Sequence, residues 1–496
     1  MLSRRNRSKT GCKRCKERKR KCDETHPSCN FCLIRGLSCE YEIKIFDMTS
    51  FRVDKPKKNK NKNINKTITT VDIEVPSCTT ITTTSTDIIR LPTPTDLHFP
   101  ETTFSPTFNI NASSPLILYL DDQGIQYIKI FERYANLVSL SEKTNYIKST
   151  FLTLAFSNEA ILNLLASWGA TFQGDGEEAE KYLIQSKELV KSSPIDRFDY
   201  FTSVAYNLIQ MAIYIHRGDT KNWYDIFKKC EKLVRDYGGL KKFIQDFGFS
   251  NDCKFLISNF QFYDVMSSES LANGTTCTME NYHNLFKGQK LLEGDYGLDP
   301  YQGCCQPIYL LLGEIMNVYV ETKRERENVV HQKDSTIRVQ FYNQVEQKVN
   351  YLITSINNCH PSSIPDENND QLELFKLCCI AGKMYVLLYI KQTQPKSSEI
   401  QLLLLESIDI IDKLIETKLA KNLSMALLIC GITAGNKSDR QNIESKFSVI
   451  YERYKQGNLK RIWEIVKESW IRNPYGSICI DWLDICHDFN WKISMI

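Results

Sequence analysis

The chain has 496 residues, 42% hydrophobic and 25% charged, with 18 cysteines and a formal net charge of +4 at pH 7. No run reaches eighteen uninterrupted apolar residues, which excludes a membrane-spanning helix, and the start MLSRRNRSKTG lacks the apolar core of a signal peptide. A reducing compartment without a disulfide framework is expected, and the length suffices for a large buried core in one domain or two.

Charge is unevenly divided. Residues 1–66 carry 20 Lys+Arg against 7 Asp+Glu, net +13, whereas residues 67–496 carry 43 against 52, net −9. That division suits a nucleic-acid-binding head joined to an acidic body.

Within the head, Cys12, Cys15, Cys22 and Cys29, Cys32, Cys39 repeat one spacing, C-x2-C-x6-C, each member of the second triplet lying 17 residues after its counterpart. Cysteines two residues apart can place both sulfurs on one metal, and zinc takes four such ligands in a tetrahedron at roughly 2.3 Å. Two zincs need eight ligations from six sulfurs, so two thiolates must bridge, one from each half. The cluster then carries a net charge of −2. A mononuclear site on Cys12, Cys15, Cys29 and Cys32 would leave Cys22 and Cys39 unused, although both sit at the same offset from their pairs.

The halves share a scaffold but differ in their surfaces. Between Cys12 and Cys22 stand Lys13, Arg14, Lys16, Glu17, Arg18, Lys19, Arg20 and Lys21, seven cations against one anion. The matching stretch of the second half carries one cation, Arg35, and offers Phe31, Leu33 and Ile34 for burial beneath the first. A cationic face of that density suits phosphates and base edges.

The segment GCKRCKERKRKCDETHPSCNFCLIRGLSCEY closely resembles the fungal Zn2Cys6 binuclear-cluster transcription factors. The resemblance implies two short helices, after Cys12 and Cys29, around two zinc ions, with Cys12 and Cys29 as the bridging thiolates. It also implies that Lys19, with Arg18 beside it, reads a CGG triplet of double-stranded DNA in the major groove, where Lys and Arg pair well with guanine O6 and N7. Arg14, Lys16, Arg20 and Lys21 complete the DNA-binding face. Pro27 falls in the turn between the halves. By the same resemblance the chain is a nuclear, sequence-specific transcription regulator working with the transcription machinery or co-regulators.

Three regions follow: the cluster module at 1–45, a linker at 46–115 and a helical body at 116–496. Residues 54–66, DKPKKNKNKNINK, are too polar and cationic to bury a core, and 67–115 are rich in Thr, Ser and Pro, so the linker is expected to be disordered. Thr93-Pro94, Ser105-Pro106 and Ser114-Pro115 offer proline-directed phosphorylation dipeptides there. Residues 44–115 show no sustained heptad pattern. That leaves two arrangements, monomeric binding or a homodimer through the helical body.

From about Leu116 apolar residues recur at helical spacing: Ile125, Ile128, Phe131 and Tyr134, then Leu152, Ala155 and Phe156, then Ile161, Leu164, Leu165 and Trp168. Gly174-Asp175-Gly176, Ser193-Pro194, Gly218-Asp219 and Gly238-Gly239 mark turns between segments of about 15 to 20 residues. An all-α body of stacked helical hairpins is predicted, so the fold as a whole is mostly α. Tyr200–His216 is uncharged but interrupted by Thr202, Ser203, Asn207 and Gln210, the texture of a buried core helix. The stretch 205–240, with its GDT-x2-W turn and GGL ending, resembles the fungal-specific transcription factor regulatory domain. The branch with this turn includes regulators of amino-acid and nitrogen metabolism.

No Gly-rich phosphate loop, HExxH or GxSxG is present and the seven histidines are scattered, so no reaction is expected of the body. Alternative readings are a chromatin-tethered small-molecule-processing domain and a zinc module that contacts protein or RNA. Cys304-Cys305 and Cys378-Cys379 read as core residues, neighbours on a helix pointing apart. The acidic-aromatic stretch from Ile480 to Trp491 reads as a docked terminal helix, with an activation segment as the alternative.

Overall fold

The computed structural model describes Cys15, Arg18, Phe31 and Cys32 near the N-terminus and, beyond them, residues 120–139, 145–192, 199–247, 250–267, 272–286, 299, 301–361 and 369–495. The chain divides into two compact units, Met1–Ile88 and Ile89–Ile496. The linker at 46–115, with its proposed phosphorylation dipeptides, lies outside the described residues, as does the Ser193-Pro194 turn.

The larger unit is built of helices, and no β-strand forms among the described residues. Its N-terminal part contains α1 Asp122–Val138, α2 Tyr146–Ser157, α3 Glu159–Gln173, α4 Gly176–Ser192, α5 Tyr200–His216, α6 Asn222–Tyr237, α7 Leu240–Asp246, α8 Asn251–Val265 and α9 Met279–Phe286. The C-terminal part contains α10 Gln306–Val330, α11 Ser335–Asn357, α12 Asn369–Tyr385, α13 Ser398–Leu414, a 3-10 turn Lys418–Leu423, α14 Ser424–Thr433, α15 Lys437–Tyr454, α16 Gly457–Arg472 and α17 Trp482–Phe489. Consecutive helices pair as α3 with α4, α5 with α6, α10 with α11 and α12 with α13, the expected hairpins.

Short polar side chains start several of these helices by accepting orphan amide protons of the first turn. Asp121 caps α1 through Gly124 N at 2.8 Å, Asn158 caps α3 through Ile161 N at 3.1 Å, and Asp199 caps α5 through Thr202 N at 2.6 Å. Gly174 and Gly238 close α3 and α6, at two of the turns marked in the sequence.

Two apolar cores result. One joins α1–α9 through Phe131, Leu164, Trp168, Trp223 and Phe255; the other joins α10–α17 through Leu312, Leu388, Phe447, Val466 and Trp482. The expected faces hold at Ile128, Phe131, Tyr134, Leu152, Ala155, Ile161, Leu164, Leu165 and Trp168, all buried. Phe156 departs: Tyr146, Ile147, Phe151 and Ala155 define the buried arc of α2, and Phe156, at its edge, is 38% exposed. Tyr127, absent from the periodic reading, is fully buried and donates its hydroxyl to Asp175 at 2.5 Å. The uncharged α5 is a core helix as predicted, burying Thr202 and Gln210 along with its apolar residues. No helix among the described residues is long and apolar enough to cross a membrane.

Cys304 and Cys305 lie in the turn that leads into α10, not within a helix, so helical divergence does not apply and their sulfurs converge to 3.9 Å. Both are buried, as core residues should be. Cys378 and Cys379 do lie within α12; the first is buried, the second half-buried with its thiol pushed up to about 12 by burial.

Asp299 anchors the entry to α10 by accepting from Tyr301 N at 2.8 Å, Gln302 N at 2.6 Å and Gln306 Nε2 at 2.9 Å, as well as from the Ser258 hydroxyl. Burial nevertheless pushes its carboxyl up to about 6. A value above that of the unfolded chain means that folding takes up a proton, so this contribution is full below about pH 4 and is lost as pH rises through 6. Relative to Asp299→Asn, the wild type is expected to lose on the order of 3 kcal/mol of stability between pH 4 and pH 7 in urea titrations. A constant difference between the two proteins would contradict this.

Candidate zinc and DNA site

Four residues of the cluster module are described, and they divide by burial. Cys15 and Cys32, the second cysteine of each triplet, are both helical and both buried, at 1% and 0% exposure. Arg18, three residues after Cys15, sits in a turn and is exposed, while Phe31, beside Cys32, is helical and half-buried. Thiols inward at equivalent points of two helical halves, with a cation outward on the first and a ring on the second, fit a metal-centred scaffold that carries its charge on one face.

Cys12, Cys22, Cys29 and Cys39 lie outside the described residues, as do Arg14, Lys16, Lys19, Arg20, Lys21, Pro27, Leu33 and Ile34. Among the described residues no group of three or more His, Cys, Asp or Glu side chains gathers as a metal would require. When bound, zinc would supply the crosslink that a module this small cannot obtain from apolar burial.

The GDT-x2-W turn of the larger unit has a structural task that sequence reading missed. Asp219 Oδ1 accepts from Lys221 N at 2.9 Å and Trp223 N at 3.1 Å, which fixes the turn and starts α6. The C-terminal residues then pair with it: Lys492 N donates to Thr220 O at 2.7 Å, and Trp223 Nε1 donates to Lys492 O at 2.7 Å. Gly218, at φ +75°, meets Gly457 at the start of α16 backbone to backbone, and Arg461 Nε donates to Gly218 O at 3.1 Å. The partners are more than 230 residues away in sequence, so no local signal marks them.

Ahead of that tail, α17 is docked. Trp482, Leu483, Ile485 and Cys486 are buried, and Lys323 pairs with Asp481 at 2.8 Å and with Asp484 at 3.2 Å. The docked-helix reading of the acidic-aromatic stretch is the one the structure realises.

Residues 10–45 match the fungal Zn(2)-Cys(6) binuclear cluster domain, and residues 127–496 match the fungal specific transcription factor domain. The chain thus belongs to the fungal Zn2Cys6 transcription factors: it is a DNA-binding transcription regulator with a two-zinc cluster, not an enzyme. It is 25% identical to the uncharacterized transcriptional regulatory protein C965.10 of Schizosaccharomyces pombe, over 98% of this chain and 97% of that protein. It is 24% identical to the transcriptional activator protein UGA3 of Saccharomyces cerevisiae, again over 98% and 97%. A Zn(2)-C6 fungal-type transcription factor of Gibberella zeae is 53% identical over 34 residues, 7% of each chain. No solved structure matches.

Proposed function

We propose that this regulator acts in the nucleus, that it reads CGG-containing duplex sites through residues 1–45, and that the helical region 116–496 governs its output across the linker 46–115. The six ligands are Cys12, Cys15, Cys22, Cys29, Cys32 and Cys39. Lys19, with Arg18, contacts the bases, while Arg14, Lys16, Arg20 and Lys21 hold the phosphates. The observation that carries this reading is the doubled cysteine triplet with seven cations confined to its first half. Regulation of amino-acid or nitrogen metabolism accords with the GDT-x2-W turn. Co-regulators are the partners of the helical region, and without a heptad linker any homodimer forms through that region.

Base-reading and phosphate-holding cations leave different signatures. Lys19→Ala is expected to cost about 1 to 3 kcal/mol on a CGG duplex and little on a scrambled one. Arg14→Ala should weaken both and reduce the salt slope by about 0.9. Anisotropy titrations of the zinc-loaded protein on both duplexes at two ionic strengths measure this. Equal losses for Lys19→Ala on the two duplexes would make it a phosphate contact and remove the assignment of base reading.

A further inference from the structure

Thiols from distant parts of the chain meet in the C-terminal core. Cys304 and Cys305 stand in the turn into α10 with their sulfurs 3.9 Å apart, and Cys305 also touches the thiol of Cys378 on α12. Tyr309, one helical turn beyond Cys305, brings its hydroxyl to 3.9 Å from Cys378 Sγ, while Cys304 Sγ donates to Gln371 O of α12 at 3.4 Å. The Asp299 hydrogen bonds fix this turn, so an anchored segment presents Cys305 to α12.

The thiols differ in the properties that decide reactivity. Cys378 is 9% exposed, at the edge of the core, against 0% and 2% for Cys304 and Cys305. The Cys305 thiol foremost, and the Tyr309 hydroxyl with it, hold Cys378 below the usual thiol range although burial opposes them. Cys305 is pushed well above that range by Cys304, by Cys378 and by burial. Cys378 is therefore the group that becomes the reactive thiolate, and Cys305 is the neutral thiol that donates to it.

A disulfide between Cys304 and Cys305 is disfavoured, since adjacent Cα atoms lie about 3.8 Å apart and disulfides span about 4.4 to 6.8 Å. Cys305 and Cys378 are 73 positions apart and escape that constraint. We propose that Cys378 and Cys305 form an oxidation site for a small peroxide, at which a reversible disulfide ties the turn into α10 to α12. The Cys378 thiolate attacks one peroxide oxygen, the O–O bond breaks, and the departing hydroxide takes up a proton as water, leaving a sulfenic acid on Cys378. The Cys305 sulfur then bonds to the Cys378 sulfur as the S–O bond breaks, and that oxygen departs with the thiol proton as a second water. The sulfurs give up the two electrons that the peroxide gains. In a reducing compartment such a bond is transient, formed under oxidant and reopened by thiol exchange, so oxidant level bears on how the helical region packs.

The test needs no DNA and does not depend on the CGG reading. Zinc-loaded full-length protein is treated with hydrogen peroxide at about tenfold molar excess, the remaining thiols are blocked with iodoacetamide, and tryptic peptides are sequenced by mass spectrometry. The expected result is a cross-link between Cys305 and Cys378, with both free thiols lost together and both restored by dithiothreitol. In Cys305→Ser, Cys378 should stop at the sulfenic acid, trapped by dimedone, and in Cys378→Ser, Cys305 should remain a free thiol. Each cysteine is read by fragmentation, so oxidation in the N-terminal triplets does not enter the result, and the wild-type map decides even where a variant fails to fold. A free Cys378 after peroxide, or Cys378 bonded to a cysteine other than Cys305, would overturn the proposal. So would a cross-link that forms only in urea, or undiminished oxidation of Cys305 in a folded Cys378→Ser protein.

Discussion

Replacement of Cys15 or Cys32 by alanine is expected to abolish specific DNA binding and zinc loading while leaving the helical region folded. Both thiols are buried at equivalent points of the two halves, so either loss removes a proposed ligand from inside the scaffold. Thiolate ligation contributes on the order of 10 kcal/mol to folding in small zinc modules, several times what so few residues gain from apolar burial. The cores of the helical region are built from residues 120–495 and keep their own sources of stability. Metal analysis should give two zincs per wild-type chain and fewer in either variant, with far-UV circular dichroism and the main thermal transition nearly unchanged. Loss of the main transition together with the zinc would contradict this division of stability.

The second large effect is expected at Gly169. In α3 this residue lies against the Tyr127 backbone of α1, where an added Cβ would fall 2.7 Å from the carbonyl carbon and closer still to the carbonyl oxygen. Backbone cannot swing aside as a side-chain tip can, so α1 and α3 must separate, taking the contacts of Trp168 with Phe131 and Tyr134 with them. Gly169→Ala should therefore destabilise the helical region by about 3 kcal/mol or more, at the upper end of overpacking costs. Gly176→Ala is the control, since nothing lies within 4 Å of its added Cβ. Urea unfolding of the three proteins measures the difference, and a Gly169→Ala midpoint equal to that of the control would refute the close approach.

Much of the fold was legible because it depends on local rules. Helical spacing found the buried faces of α1 and α3, turn residues found Gly174, Gly218 and Gly238, and the uncharged run from Tyr200 to His216 announced a core helix. Where the reading missed, tertiary context decided. Tyr127 is buried because Gly169 admits its backbone, and Cys304 converges on Cys305 because a turn, not a helix, holds them. The proposed zinc ligands are legible as a repeat, since metal binding demands its residue types at short spacing. The Cys305–Cys378 pair was not, for its members are 73 positions apart and look like ordinary core choices until the turn into α10 sets one against α12.

Genome-wide occupancy of the tagged full-length protein tests the central claim most directly. The account predicts binding in promoter regions whose shared sequence contains a CGG triplet, with that enrichment lost in Lys19→Ala and all occupancy lost in Cys15→Ala. Occupancy without any shared duplex sequence, or occupancy that Cys15→Ala leaves intact, would contradict it.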